Sequence, residues 1–153
     1  AAVEVLRARG LRDVRLGDAR DGPGPGSWDA GGRWDTILLL MNGTTLVGSP
    51  DALRALLEAS AARLAPGGRI LLDSTDLRGE DGGDRREDGR YVGEIQLQIS
   101  WRGRRSAPFP VLYADPELLR RTAAAAGLSA RVVARAEGGA YLAEVARAPD
   151  GDR

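Results

Sequence analysis

Between Trp34 and Asp76 the chain reads WDTILLLMNGTTLVGSPDALRALLEASAARLAPGGRILLDSTD. Residues 37–41 are apolar without interruption, which suits a strand covered on both faces better than a half-exposed one. A central parallel strand is expected there. Ser49-Pro50-Asp51 then supplies a helix N-cap, a first-turn proline and an acid at the positive helix end. Leu53, Leu56, Leu57, Ala61 and Leu64 share one helical face, and Pro66-Gly67-Gly68 is expected to stop the helix. Arg69-Ile70-Leu71-Leu72-Asp73 reads as a second buried strand. A strand, a helix and a strand in immediate succession make one crossover unit whose strands run parallel, so the fold class is α/β.

Upstream of this unit, Val3 and Leu6 have helical spacing over residues 1–9, and Gly10-Leu11 has the pattern of a left-handed helix stop. Asp13-Val14-Arg15-Leu16 alternates and reads as a short strand, and the Gly/Pro-rich residues 20–33 as a mobile surface loop. Downstream, the charged residues 78–90 hold no aliphatic side chain and are expected to be disordered or a lid. Ile95, Leu97, Ile99 and Trp101 alternate strictly, as in a half-exposed strand near a sheet edge. Asp115-Pro116-Glu117 opens a helix that runs through Leu118, Leu119 and Ala123 to Gly127. Residues 130–136 and 140–146 form two strand-like pieces joined by Glu137-Gly138-Gly139 as a hairpin. One domain over residues 1–148 and a polar tail over 149–153 are expected.

Composition removes whole classes of chemistry. The 153 residues contain no His and no Cys, so disulfides, Cys/His zinc sites, Ser-His-Asp or Cys-His nucleophiles and an imidazole base are excluded. Lys plus Arg is 22 and Asp plus Glu is 22, and a net charge of zero argues against a diffuse basic nucleic-acid surface. The longest apolar run falls far short of the ~20 residues of a membrane helix, and no secretory leader is recognised, so a soluble cytoplasmic protein is expected. The chain opens on Ala1-Ala2-Val3 without an initiator Met, which suggests a missing start.

Four pieces, in order and spacing, resemble class I S-adenosylmethionine-dependent methyltransferases: Leu16-Gly17-Asp18-Ala19, the run from Trp34-Asp35-Thr36-Ile37 to Asn42-Gly43, Leu64-Ala65-Pro66-Gly67-Gly68 with the strand after it, and Ala126-Gly127-Leu128. The resemblance covers nearly all of residues 1–147. The family's Gly-rich loop after its first strand and the acid ending its second have no counterpart here, because residues 1–9 match the helix that follows the second strand. The resemblance implies a partial Rossmann-like methyltransferase sheet, mostly parallel with an antiparallel C-terminal hairpin and missing the first two strands. On this reading residues 13–16 have no sheet neighbours, and the isolated chain folds incompletely, reorganises, or borrows strands from another copy. The implied function is S-adenosylmethionine-dependent methyl transfer to an unidentified acceptor in the complete protein, impaired in this portion. The alternative, motivated by the absent loop, is a non-catalytic methyltransferase-like scaffold or dimerisation module. A phosphoryl-transfer or Mg²⁺ domain lacks the phosphate-cradling loop it would need.

The resemblance assigns cofactor binding to Asp18, accepting from the adenine amino group, to Ala19 against the ring, and to Met41 and Asn42 beside the methyl donor. The local readings stay open beside it: Asp18 caps a turn, and Asn42 and Gly43 simply make one. Thr44 and Thr45 read as turn hydroxyls. Asp73-Ser74-Thr75-Asp76 ends the second strand, where paired acids bind Mg²⁺, act as a base, or cap the strand end. No catalytic residue and no metal ligand is assigned. Tyr91, Trp101, Phe109 and Tyr113 flank the region where relatives shape the acceptor pocket, and Trp101 also suits edge-strand packing. Arg102, Arg104 and Arg105 form too short a basic cluster to imply nucleic acid. The expected partners are a small-molecule acceptor and a second copy, with no membrane.

Overall fold

The computed structural model describes residues 2–17, 32–78 and 82–148. Asp18, Ala19, nearly all of the Gly/Pro-rich loop, part of the charged tract and the polar tail lie outside the described residues.

Helix α1 spans Ala2–Ala8. It closes as expected: Gly10 has φ 87°, its N–H donates to the Arg7 carbonyl at 2.9 Å, and the Leu11 N–H reaches back to Leu6 at 3.2 Å. This paired closure satisfies two carbonyls that the last helical turn leaves open. Residues 13–16, by contrast, form no strand, and Leu16 is 86% exposed. An alternating tetrapeptide holds a strand conformation only in a ladder, and no backbone ladder joins these residues to the described strands.

The crossover unit is present. Strand β1, Trp34–Leu39, leads through a short 3-10 turn to helix α2, Pro50–Ala61, and then to strand β2, Leu64–Thr75, which runs parallel to β1. Ser49 caps α2 by accepting the Ala52 N–H. The helix ends earlier than expected, and Leu64 and Pro66-Gly67-Gly68 belong to β2. The ladder steps from Trp34↔Leu64 to Thr36↔Arg69, so the intervening residues bulge out of register.

The chain then forms a hairpin arm from strands β3 (Glu94–Leu97), β4 (Ser100–Trp101), β5 (Arg104–Arg105) and β6 (Phe109–Leu112). β3 pairs with β6 and β4 with β5, apart from the main sheet. The alternation at Ile95, Leu97, Ile99 and Trp101 therefore marks one face of this arm, and no main-sheet core covers it: Ile99 is 59% and Trp101 68% exposed. Residues 82–90 of the charged tract fold back into a turn, with the Val92 N–H on the Asp84 carbonyl and a bridge between Arg85 and Tyr91.

Helix α3, Pro116–Ala125, leads into the hairpin of β7 (Leu128–Arg135) and β8 (Ala140–Arg147). The main sheet has the order β1-β2-β8-β7, with β8 antiparallel to both neighbours. It is thus a mixed sheet, less parallel than expected, because only β1 and β2 of the described strands run together. β1 lies at its edge, not its centre. Ile37 is buried, whereas Leu38 and Leu40 are 58% and 51% exposed. Leu53 and Leu57 of α2, Leu119 of α3, and Ile70, Leu72 and Val145 of the sheet are fully buried together and form the core.

Candidate functional site

The chain turns sharply where β1 ends, at the carboxyl edge of the parallel pair, which is the usual ligand position of open α/β sheets. Met41 and Asn42 both take left-handed backbone angles, φ 67° and φ 58°. Side chains with a Cβ resist this region, so two in succession need support. The support is visible. The Thr45 N–H and hydroxyl both donate to the Asn42 carbonyl at 2.8 Å, and the Thr75 hydroxyl donates to Asn42 Oδ1 at 2.9 Å. The Gly43 N–H points at Asp73 Oδ1 at 3.4 Å. Met41 stands out from the turn, 91% exposed, while Asn42 is half-buried. Among the described residues the Asn42 amide nitrogen has no acceptor.

Thr45 is thus the turn hydroxyl expected, but Thr44 is not. Its side chain is 1% exposed and donates to the Leu112 carbonyl at 2.8 Å, with Ser74 Oγ at 2.7 Å. Both lone hydroxyls would be costly in the core unpaired, and together they tie the β1 turn to β2 and to β6.

The acids at the end of β2 have different partners. Asp76 takes Arg78 in a forked pair, Nε at 2.9 Å and Nη2 at 2.7 Å, and also accepts the Arg78 N–H at 3.0 Å. The Arg78 hydrogen bond holds the Asp76 carboxyl below its ordinary value of 3.8, against the opposing effect of burial. Both Asp76 oxygens are thus engaged by the Arg78 guanidinium. Among the described residues no group of three or more potential metal ligands occurs. Arg78 continues to Asp115 at 3.5 Å.

Asp115 is 1% exposed and does more than cap α3. One oxygen accepts the Glu117 and Leu118 N–H groups at 2.7 and 3.1 Å; the other accepts the Tyr91 hydroxyl at 2.6 Å. The Asp115 N–H donates back to the Tyr91 oxygen at 2.8 Å. Burial, then this bond to a carboxylate, raises the Tyr91 phenol well above its ordinary value. Tyr91 is consequently an anchor in the core and not a pocket-wall hydroxyl. Trp101 lies out on the arm with the Arg102 guanidinium 5.4 Å from its ring centroid, and Phe109 and Tyr113 are half-buried. A groove of about 260 Å³ lies beside β1, lined by Arg15, Gly17, Ile37, Leu38, Leu39 and Leu56 among others.

No protein-family model matches the chain, and no curated protein matches it. Solved structures do. It is similar to a SAM-dependent methyltransferase from Bacteroides fragilis, solved in complex with S-adenosyl-L-homocysteine, at 32% identity over 96% of this chain with a TM-score of 0.78. The chain spans 59% of the length of that protein. DesVI from Streptomyces venezuelae is 15% identical over 96% of this chain and 70% of its own, with a TM-score of 0.64. The CcbJ methyltransferase from Streptomyces caelestis is 14% identical over 95% and 70%, with a TM-score of 0.62. These last two are likenesses of fold.

Proposed function

We propose that this chain, which has the fold of the class I S-adenosylmethionine-dependent methyltransferases, takes part in methyl transfer from S-adenosylmethionine to a small-molecule acceptor. The observation that carries the reading is the supported left-handed turn at Met41 and Asn42. It presents an exposed thioether and a half-buried carboxamide, whose nitrogen has no acceptor among the described residues, at the carboxyl edge of β1, a chemistry that fits the donor side of such a site. Bound there, S-adenosylmethionine would supply an electrophilic methyl group on a sulfonium.

The chain's own residues bind and orient. Met41 and Asn42 flank the donor, while Asp18 and Ala19 receive the adenine through an acceptor-only carboxylate and a small backbone. Asp73, Thr75 and Thr45 hold the turn rigid, so that its geometry is set before ligand arrives. Asp76 holds Arg78 and is spared from proton transfer. Positioning, not acid–base work, is what these residues contribute.

Calorimetric titration of S-adenosylmethionine checks this. It compares the chain alone with the chain extended upstream by the two strands and Gly-rich loop that the family resemblance implies. Binding by the extended form is expected, weakened several-fold by Asn42→Gly, which keeps the left-handed backbone and removes the amide. Binding by neither form would instead support the scaffold or dimerisation module.

A further inference from the structure

We infer that Asp73 and the cavity it lines form a binding subsite for an ammonium group carried on one compact hydrocarbon unit. The subsite goes beyond the methyl-transfer reading and does not rest on it. The cavity, of about 220 Å³, lies at the carboxyl edge of β2, where β7 ends and β8 begins, and is lined by Asp73, Ala134, Ala136, Ala140 and Leu142, with Arg135 and Tyr141. Register sets its wall. Asp73 faces Leu142 across β2 and β8, and Leu142 faces Ala134 across β8 and β7, so these three side chains share one face of the sheet. Leu72, Ser74 and Tyr141, on the other face, are buried. Asp73 is half-buried, and among the described residues its one hydrogen-bond partner is the Gly43 N–H, 3.4 Å from Oδ1. Arg135 does not neutralise it: Arg135 is opposite Tyr141 in the ladder, so its side chain starts from the other face. A carboxylate only accepts, and a half-buried one without a cation keeps acceptor capacity that a ligand donor can meet. An ammonium on a hydrocarbon body satisfies both parts of the cavity, the charge on Asp73 and the hydrocarbon displacing water from the alanines and Leu142. The volume is below the ~300–1,000 Å³ of sites for drug-sized ligands, which limits the occupant to one such unit.

The test follows the backbone amide NMR signals of Ala134, Ala140 and Leu142 in the full chain, titrated with cyclohexylammonium chloride, cyclohexanol or sodium cyclohexanecarboxylate against a sodium chloride control. Saturable shifts are expected with the ammonium, several-fold weaker binding with the alcohol, and no saturation with the carboxylate. Asp73→Asn keeps an oxygen for the Gly43 N–H and the shape of the wall, so it should lower ammonium binding to the level of the alcohol while the Gly43 amide signal stays in place. Ala134→Leu fills the cavity and leaves Asp73 intact, and should weaken ammonium binding several-fold as well. No saturable response to the ammonium, equal binding of the alcohol, or tighter binding of the carboxylate overturns the proposal. Undiminished ammonium binding in Asp73→Asn overturns the role of the carboxylate, and in Ala134→Leu that of the cavity. A lack of S-adenosylmethionine binding by the extended chain, with the ammonium response intact, overturns the methyl-transfer reading and leaves the subsite standing.

Discussion

At single residues, the strongest consequences fall on Asp115 and Asp76. Asp115→Ala removes a helix cap, worth ~1 kcal/mol, and orphans the buried Tyr91 hydroxyl, worth ~2 kcal/mol more. A loss of about 3 kcal/mol is expected from urea denaturation midpoints, with Asp115→Asn retaining part of it. The cap was legible because Asp115, Pro116 and Glu117 are adjacent. The Tyr91 partnership was not, because it spans 24 residues and no local pattern encodes it. For Asp76 the folded carboxyl sits below 3.8. Its pairing therefore contributes in full above the unfolded value and is lost as pH falls through the depressed folded one. Wild type should lose stability on acidification below pH 3.8 more steeply than Arg78→Met, as acid denaturation of the two proteins would show.

Among the elements, α2 is the one whose sequence and structure agree most closely, because a helix is built from contacts three and four residues apart. Leu53, Leu56, Leu57 and Ala61 are all buried on the face their spacing predicts. Leu57→Ala should cost roughly 2–5 kcal/mol by cavity formation, against about 1 kcal/mol for the cap variant Ser49→Ala; thermal unfolding would rank the two. The Pro66-Gly67-Gly68 turn shows where local reading fails. Its residues suit a helix stop, yet they bulge within β2, and a Cβ on Gly68 would lie 2.8 Å from the Trp34 carbonyl oxygen. That requirement is set by β1 across the ladder. The Ile95 to Trp101 alternation fails in the same way: period two identifies a face, but not what covers it.

For the whole molecule, the order β1-β2-β8-β7 leaves one edge of the parallel pair without a partner among the described strands. Amides of β2 and β8, bonded on both sides, should exchange slowest with deuterated water, and those of β1 should exchange faster and slow only in the upstream-extended form. Equal protection of β1 and β2 in the bare chain would mean that the edge is covered. The caps, the α2 face and the closing hairpin were legible because each depends on residues within a few turns of one another, and the crossover because strand, helix and strand follow without a break. What came from long-range packing is that β1 lies at the edge of the described sheet, that Thr44 is a core anchor, and that Tyr91, Arg78, Asp76 and Asp115 meet. These depend on which distant backbone groups and side chains find partners, and a buried polar group takes whichever partner the packed fold brings within reach.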